Sequence, residues 1–111
     1  MTKTLDERIR LDAVLLNNEI SYQPEGVVSK TLIDKQAGTI TVFAFDQGQG
    51  LSEHSAPFDA FVHLLDGEME IIIDGNPIQL KKGHSLIMPA NVPHALRAME
   101  AAKLMLVMIR Q

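Results

Sequence analysis

Two histidines lie in short segments whose residue types could form a reactive or ligand-binding pocket. His54 opens the segment HSAPFDA, and His94 lies in the segment IMPANVPHAL. An imidazole can ligate a divalent metal, or take up and release a proton near neutral pH. The positions two and six residues after His54, where partner ligands of a metal would follow, hold Ala56 and Ala60. Three interpretations are open at this point: a catalytic metal site, the remains of one, or a pocket that needs no metal.

The composition excludes several other classes of chemistry and partner. Cysteine is absent, which excludes disulfides, thiolate zinc sites and cysteine nucleophiles. The length of 111 residues fits one domain, and a hydrophobic content of 46% indicates a globular chain. A net charge of -4 with scattered basic residues favours neither nucleic acid nor an anionic membrane as partner. The N-terminus lacks an apolar signal core, and no apolar run approaches the ~20 residues of a membrane span. We therefore expect a cytoplasmic protein.

The elements that must position the histidines are mostly short strands. Leu5, Ile9, Ala13 and Leu16 recur at helical spacing, which predicts a short N-terminal helix within an arm and linker over residues 1–25. Residues 26–111 show short apolar runs separated by Gly, Pro, Asn and Asp, typical of a β-sandwich or small barrel. The last run, KLMLVMI, is apolar on both faces and should lie inside a sandwich or at a subunit contact. The predicted strands span residues 27–33, 38–45, 60–65, 68–73, 78–80, 85–88, 94–98 and 103–109.

The segment around His54 resembles the first motif of the cupin superfamily. Gly48, His54 and Gly67 stand at the positions of the motif's first glycine, first histidine and closing glycine. Ala56 takes the place of the second histidine and Ala60 the place of the glutamate. The scaffold residues of this motif are present, and two of its polar residues are replaced by methyl groups.

The segment around His94 resembles the second cupin motif. Gly83, Pro89 and His94 match it, and Asn91 replaces its second glycine. Asparagine accepts the left-handed backbone conformation that glycine adopts at such a position. The resemblance implies an all-β jelly-roll barrel of two antiparallel sheets with a pocket between them. The longer pattern, GQGLSEHSAPFDA together with IMPANVPHAL, looks like that of a subgroup of small bacterial and archaeal cupins. This subgroup is described as lacking the metal ligands and forming homodimers.

Metal binding depends on whether another side chain completes the set, because the resemblance leaves only His54 and His94. Two imidazoles alone bind a metal ion weakly, since catalytic metal sites of this kind keep three or more protein ligands. Asp59 and His63 stand an odd number of residues from Ala60, so alternation along a strand turns both away from the pocket. A bulge near Pro57 would reverse this for Asp59. Asp59 is otherwise a capping acceptor for backbone N–H groups, and we expect no metal and no cofactor.

Residues predicted to line the pocket are His54, His94, Ala56, Ala60 and Met88. The space left by the two alanines is either filled by methionines (Met69, Met88, Met105 and Met108) or remains an apolar pocket. Tyr22 has no evident partner, and Ser85 lies near histidines in sequence only.

The first functional hypothesis is a metal-free, homodimeric cupin that binds a small organic ligand or acts as an accessory module. The alternatives are a metal-independent isomerase or epimerase using His54 and His94, a metal-dependent enzyme with a reduced site, and a purely structural dimerisation domain. No catalytic residue is assigned, and no nucleic-acid or membrane partner is expected.

Overall fold

Two antiparallel sheets form the protein, in the jelly-roll arrangement predicted from the two motifs. The computed structural model describes residues 13–110. A five-stranded sheet has the order β1-β2-β9-β4-β7, and a four-stranded sheet has the order β3-β8-β5-β6. The strands are β1 (Val27–Lys35), β2 (Gly38–Phe45), β3 (Gly50–His54), β4 (Asp59–Asp66), β5 (Glu68–Ile73), β6 (Asn76–Lys81), β7 (Ser85–Met88), β8 (His94–Ala98) and β9 (Ala102–Ile109). No helix within residues 13–110 is long and apolar enough to cross a membrane.

The main core lies between the sheets because side chains alternate along each strand. In β4, Val62 and Leu64 point inward and are fully buried, and Leu104 in β9 packs beside them. Met69 and Ile71 of β5 close this core from the four-stranded sheet. The prediction that β9 is apolar on both faces is confirmed, since its inward Leu104 and outward Met105 belong to different hydrophobic clusters.

The outer face of the five-stranded sheet is partly covered by the chain that precedes β1. Ile20 is buried there against Val42 and Ala44. Most of the predicted N-terminal helix lies outside the described residues. Within them the chain forms only a 3₁₀ turn at Leu16–Asn18. The proposed boundary between arm and barrel at residue 26 stays a prediction.

Polar contacts fix this N-terminal segment to the end of the sheet. The Tyr22 hydroxyl donates to Asp66 Oδ2 at 2.5 Å, which corrects the expectation that Tyr22 lacks a partner. Lys103 Nζ donates to the carbonyl oxygen of Asn17 at 2.7 Å and lies 4.9 Å from the Tyr22 ring centroid. Burial, followed by the bond to the Asp66 carboxylate, raises the pKa of Tyr22 well above its usual range. The phenol therefore stays protonated as the donor of this contact.

Two strand predictions differ most from the structure: β6 is longer than the predicted 78–80, and β3 was not predicted. Asp74 and Gly75 have φ of 50° and 80°, so two residues make the hairpin turn and Pro77 already pairs with Ile72. Gly50 to His54 forms β3, which the sequence pattern did not indicate because its residues are mostly polar and exposed. Asn91 has φ of 65°, which confirms the left-handed conformation predicted at this position.

We predict that Gly67→Ala destabilises the fold by about 3–5 kcal/mol, combining left-handed strain with steric overlap. Gly67 has φ of 77°, and a Cβ there would overlap the carbonyl oxygen of Ala101. Gly75→Ala is the matched control, because Gly75 has φ of 80° but open space around it. Its cost should be only about 1–2 kcal/mol. Urea unfolding measures both, and equal losses would contradict the steric argument.

Candidate functional site

His54 and His94 meet directly because their strands pair. His54 ends β3, His94 begins β8, and the two are register partners in the antiparallel ladder. Partners in such a ladder project to the same face of the sheet. Their rings meet edge to face, with centroids 4.3 Å apart, and the two Nε2 atoms are 3.1 Å apart. Residues 40 positions apart in the chain thus form one polar pair.

The second nitrogen of each ring determines which atoms carry hydrogen. His54 Nδ1 lies 2.9 Å from the carbonyl oxygen of Ser52, and His94 Nδ1 lies 3.2 Å from that of Val92. A carbonyl oxygen only accepts, so each Nδ1 is the protonated nitrogen that donates. In the neutral rings both Nε2 atoms are then acceptors, and their 3.1 Å separation becomes a hydrogen bond when one further proton lies between them. The pair as a whole has room for one further proton between its nitrogens.

The environments of the two rings differ. His94 is buried, with 7% of its surface exposed, whereas His54 is exposed. Burial lowers the pKa of His94 below its ordinary value; the hydrogen bond to the Val92 carbonyl opposes this, and the neighbouring His54 lowers it further. His94 is therefore neutral at neutral pH, and His54 is the ring that solvent reaches.

The pair stands at the edge of an apolar cavity of about 60 Å³ between the sheets. One water needs about 10–15 Å³, so the space admits several waters or a small organic molecule. All five residues predicted for the pocket (His54, His94, Ala56, Ala60 and Met88) line it. That they bind a ligand stays a prediction. The remaining lining residues are Phe43, Phe45, Leu51, Phe58, Leu96, Leu104, Leu106 and Met108.

The sequence did not single out these other lining residues, although alternation offered a signal. Phe43 and Phe45 in β2, and Leu104, Leu106 and Met108 in β9, are same-face residues of strands that were predicted correctly. The sequence did not show which face of each strand points toward the cavity. Of the methionines expected near the cavity, Met88 and Met108 line it, whereas Met105 packs on the opposite face of the sheet against the N-terminal segment.

Asp59 and His63 do not join the histidine pair. Asp59 is exposed, and its Oδ1 accepts from the backbone N–H of Ala90 at 2.8 Å, in the capping role predicted for it. His63 lies on the outer face of β4, where its Nδ1 is 2.6 Å from the Ser85 hydroxyl. This contact also corrects the expectation that Ser85 is near histidines in sequence only.

The donor set does not fit a metal centre of the cupin type. Within residues 13–110, no three His, Cys, Asp or Glu side chains are grouped so that they could share an ion. Two alanine methyl groups line the cavity at the positions where the family's second histidine and glutamate stand. Among residues 13–110, no charged side chain lines the cavity, and the paired imidazoles are the titratable groups of this lining.

We predict that His94 makes the stability of the fold depend on pH. Its pKa is lowered in the folded state, so the unfolded chain binds the proton more readily. The stabilisation is complete above the unfolded pKa of 6.5 and is lost as pH falls through the lower folded value. Urea unfolding between pH 8 and pH 5 should show this loss, and His94→Gln should flatten it. His63→Gln, which removes a histidine outside the pair, is measured for comparison, and a slope unchanged by His94→Gln would contradict the prediction.

Comparisons with known proteins agree with this architecture. The Cupin domain family matches residues 41–110. A conserved protein of unknown function from Streptococcus pyogenes is 34% identical and superposes with a TM-score of 0.90. The match covers 99% of this chain and 96% of that protein. A cupin 2 conserved barrel domain protein from Leptotrichia buccalis is 39% identical with a TM-score of 0.81; the match covers 84% of this chain and 45% of that one.

A curated relative is more distant. Protein SchB from Streptomyces halstedii is 26% identical over 98 residues, which is 87% of this chain and 71% of SchB. The family match covers more than half of the chain and includes both histidine segments. The chain therefore belongs to the cupin family, as its two motifs indicated.

Proposed function

We propose that this protein is a metal-free cupin that binds a small organic molecule in its barrel and works as a cytoplasmic homodimer. The observation that carries the proposal is the apolar cavity with a single polar feature, the His54–His94 pair. Ligand sites commonly combine an apolar lining with a few polar groups that orient the ligand. The incomplete donor set supports binding without a metal.

The cavity owes its space to the two alanines of the first motif. Ala56 and Ala60 line it with methyl groups, and larger residues at these positions would reduce its volume. Phe43, Phe45 and Phe58 also line the cavity. Such a lining favours a compact apolar body, and His54, exposed at the end of β3, gives the ligand a polar contact toward solvent.

We predict that xenon enters the cavity of the wild-type protein and that Ala56→Leu excludes it, because apolar cavities bind xenon and a leucine fills the space. The readout is the xenon-induced shift of the Met88 and Met108 methyl resonances, two groups that line the cavity. Ser55→Leu is the control, because Ser55 is exposed and outside the lining. No xenon effect in the wild type would mean a solidly packed barrel and would refute the ligand-binding proposal.

The homodimer proposal rests on an apolar row on the outer face of the five-stranded sheet. Register places Ile33, Ile40, Val107, Phe61 and Ile87 side by side across all five strands, and we call them the outer row. Ile87 is 62% exposed and Phe61 is 39% exposed. Apolar surface of this kind marks contacts. A second copy fits because the outer row has no charge and can face itself across a two-fold axis without repulsion.

We predict that Ile87→Asp weakens dimerisation by about 100-fold, since a buried unpaired charge costs several kcal/mol. Analytical ultracentrifugation over a concentration series measures the dissociation constant. Met99→Asp is the control, because Met99 is 38% exposed but lies after β8, outside the outer row. A wild type that is monomeric at micromolar concentration, or equal effects of the two variants, would contradict the proposal.

A second candidate function is a metal-independent isomerase or epimerase in which the two imidazoles act as base and acid. The direct contact between Nε2 atoms favours it, because one ring can pass a proton to the other. The lining formed by the described residues contains no Lys, Arg or Tyr that would stabilise a developing oxyanion, which argues against this function. Turnover of a bound substrate that His94→Ala abolishes would establish this function.

A metal-dependent enzyme with a reduced site is tested separately. Elemental analysis of untagged protein, before and after exposure to nickel, zinc, manganese and iron(II), gives the metal content. A metal retained at about one per chain would favour the reduced site over the metal-free proposal.

A further inference from the structure

The histidine pair presents hydrogen-bond acceptors, and no donors, to a ligand in the cavity. Each ring uses its Nδ1–H on a backbone carbonyl, at 2.9 Å for His54 and 3.2 Å for His94. The nitrogens left over are the two Nε2 atoms, which accept when the rings are neutral. All other lining side chains are apolar. A ligand that satisfies the pair must therefore bring its own hydrogen.

A simple hydroxyl would satisfy only part of this site. An alcohol can donate to one Nε2, but the second lone pair then still faces the first ring at 3.1 Å. An acidic O–H does more, because its proton can move onto the pair and be shared by both imidazoles. The positive charge on the pair then faces the negative charge of the ligand, so the site and its ligand remain neutral together.

We propose, resting on the ligand-binding function above, that the cavity selects a small carboxylic acid with a short apolar body, whose proton completes the His54–His94 pair. The O–H bond of the acid breaks, an Nε2–H bond forms, and that N–H donates to the Nε2 of the other ring, so the carboxylate lies as a counter-ion against the positively charged pair. The apolar body lies in the cavity between the sheets. A neutral acid brings this proton with it. A carboxylic acid is ionised in solution at pH 7.5, so there it forms the same complex by taking one proton from solvent.

The surroundings support a charge change confined to this pair. β2, β4, β7 and β9 contribute only apolar side chains to the lining. On the two strands that carry the histidines, Glu53 and Arg97 are exposed and outside the lining. His54 is exposed while His94 is buried, which places the carboxylate at the solvent side and the apolar body inside.

Propionic acid and methyl acetate provide the test, because they are isomers and only the first has an acidic proton. Binding is followed through the Met88 and Met108 methyl resonances, and proton uptake through calorimetry at pH 7.5 in buffers of different ionisation enthalpy. We expect propionate to bind at least about tenfold more tightly than methyl acetate, with uptake of about one proton. His54→Gln should abolish the preference and the uptake, while the control His63→Gln should keep both.

The outcomes separate this inference from the function on which it rests. Equal binding of the two isomers, or binding of propionate without proton uptake, would overturn the acid selectivity and leave a cavity that still binds xenon. Failure of both isomers to bind while xenon enters would also overturn it. Failure of xenon as well would overturn the ligand-binding function itself.

Discussion

The five-stranded sheet must be covered on both faces, and this constraint organises the rest of the molecule. Its central strand β9 is apolar on both sides, so leaving either face in water would expose a large apolar surface. The four-stranded sheet covers the inner face and creates the core and the cavity. The chain before β1 covers part of the outer face through Ile20, held by the Tyr22–Asp66 and Lys103–Asn17 contacts. Ile33, Phe61 and Ile87 of the outer row remain exposed beside it.

The histidine pair follows from this arrangement because β3 and β8 pair with His54 opposite His94, and both residues line the cavity. The register that opposes His54 and His94 also brings the Ser52 and Val92 carbonyls to their Nδ1 atoms. Backbone acceptors thus set the tautomers, and both free nitrogens face each other. The apolar cavity strengthens the electrostatic interactions of this pair, because such interactions are stronger where water is displaced. The chemistry of the site depends on a backbone geometry that no single residue encodes.

Replacing the family's polar residues by alanine changes what the barrel can hold. Ala56 and Ala60 leave space without donors, while the glycines, the proline and the paired histidines preserve the scaffold around it. Asp59 and His63, the two nearby groups with metal-binding chemistry, serve the loop at Ala90 and the contact with Ser85 instead. One fold hosts many functions, so the chemistry of a site follows from its own residues. The cavity and its two imidazoles define the site's chemistry.

The sequence by itself determined eight of the nine strands that the structure describes, the cupin motifs and the five pocket candidates, because spacing and alternation are local properties of the chain. It predicted that Asp59 and His63 face away from the site, since side chains alternate along β4. It did not indicate β3, the Tyr22–Asp66 contact or the opposite faces of Met105 and Met108, because partners far apart in the chain decide these. Only the tertiary structure showed that both Nδ1 atoms meet carbonyls and that both Nε2 atoms meet each other. The reason is physical: the 3.1 Å contact between the two Nε2 atoms joins different strands and is a property of their packing, and sequence spacing does not specify it.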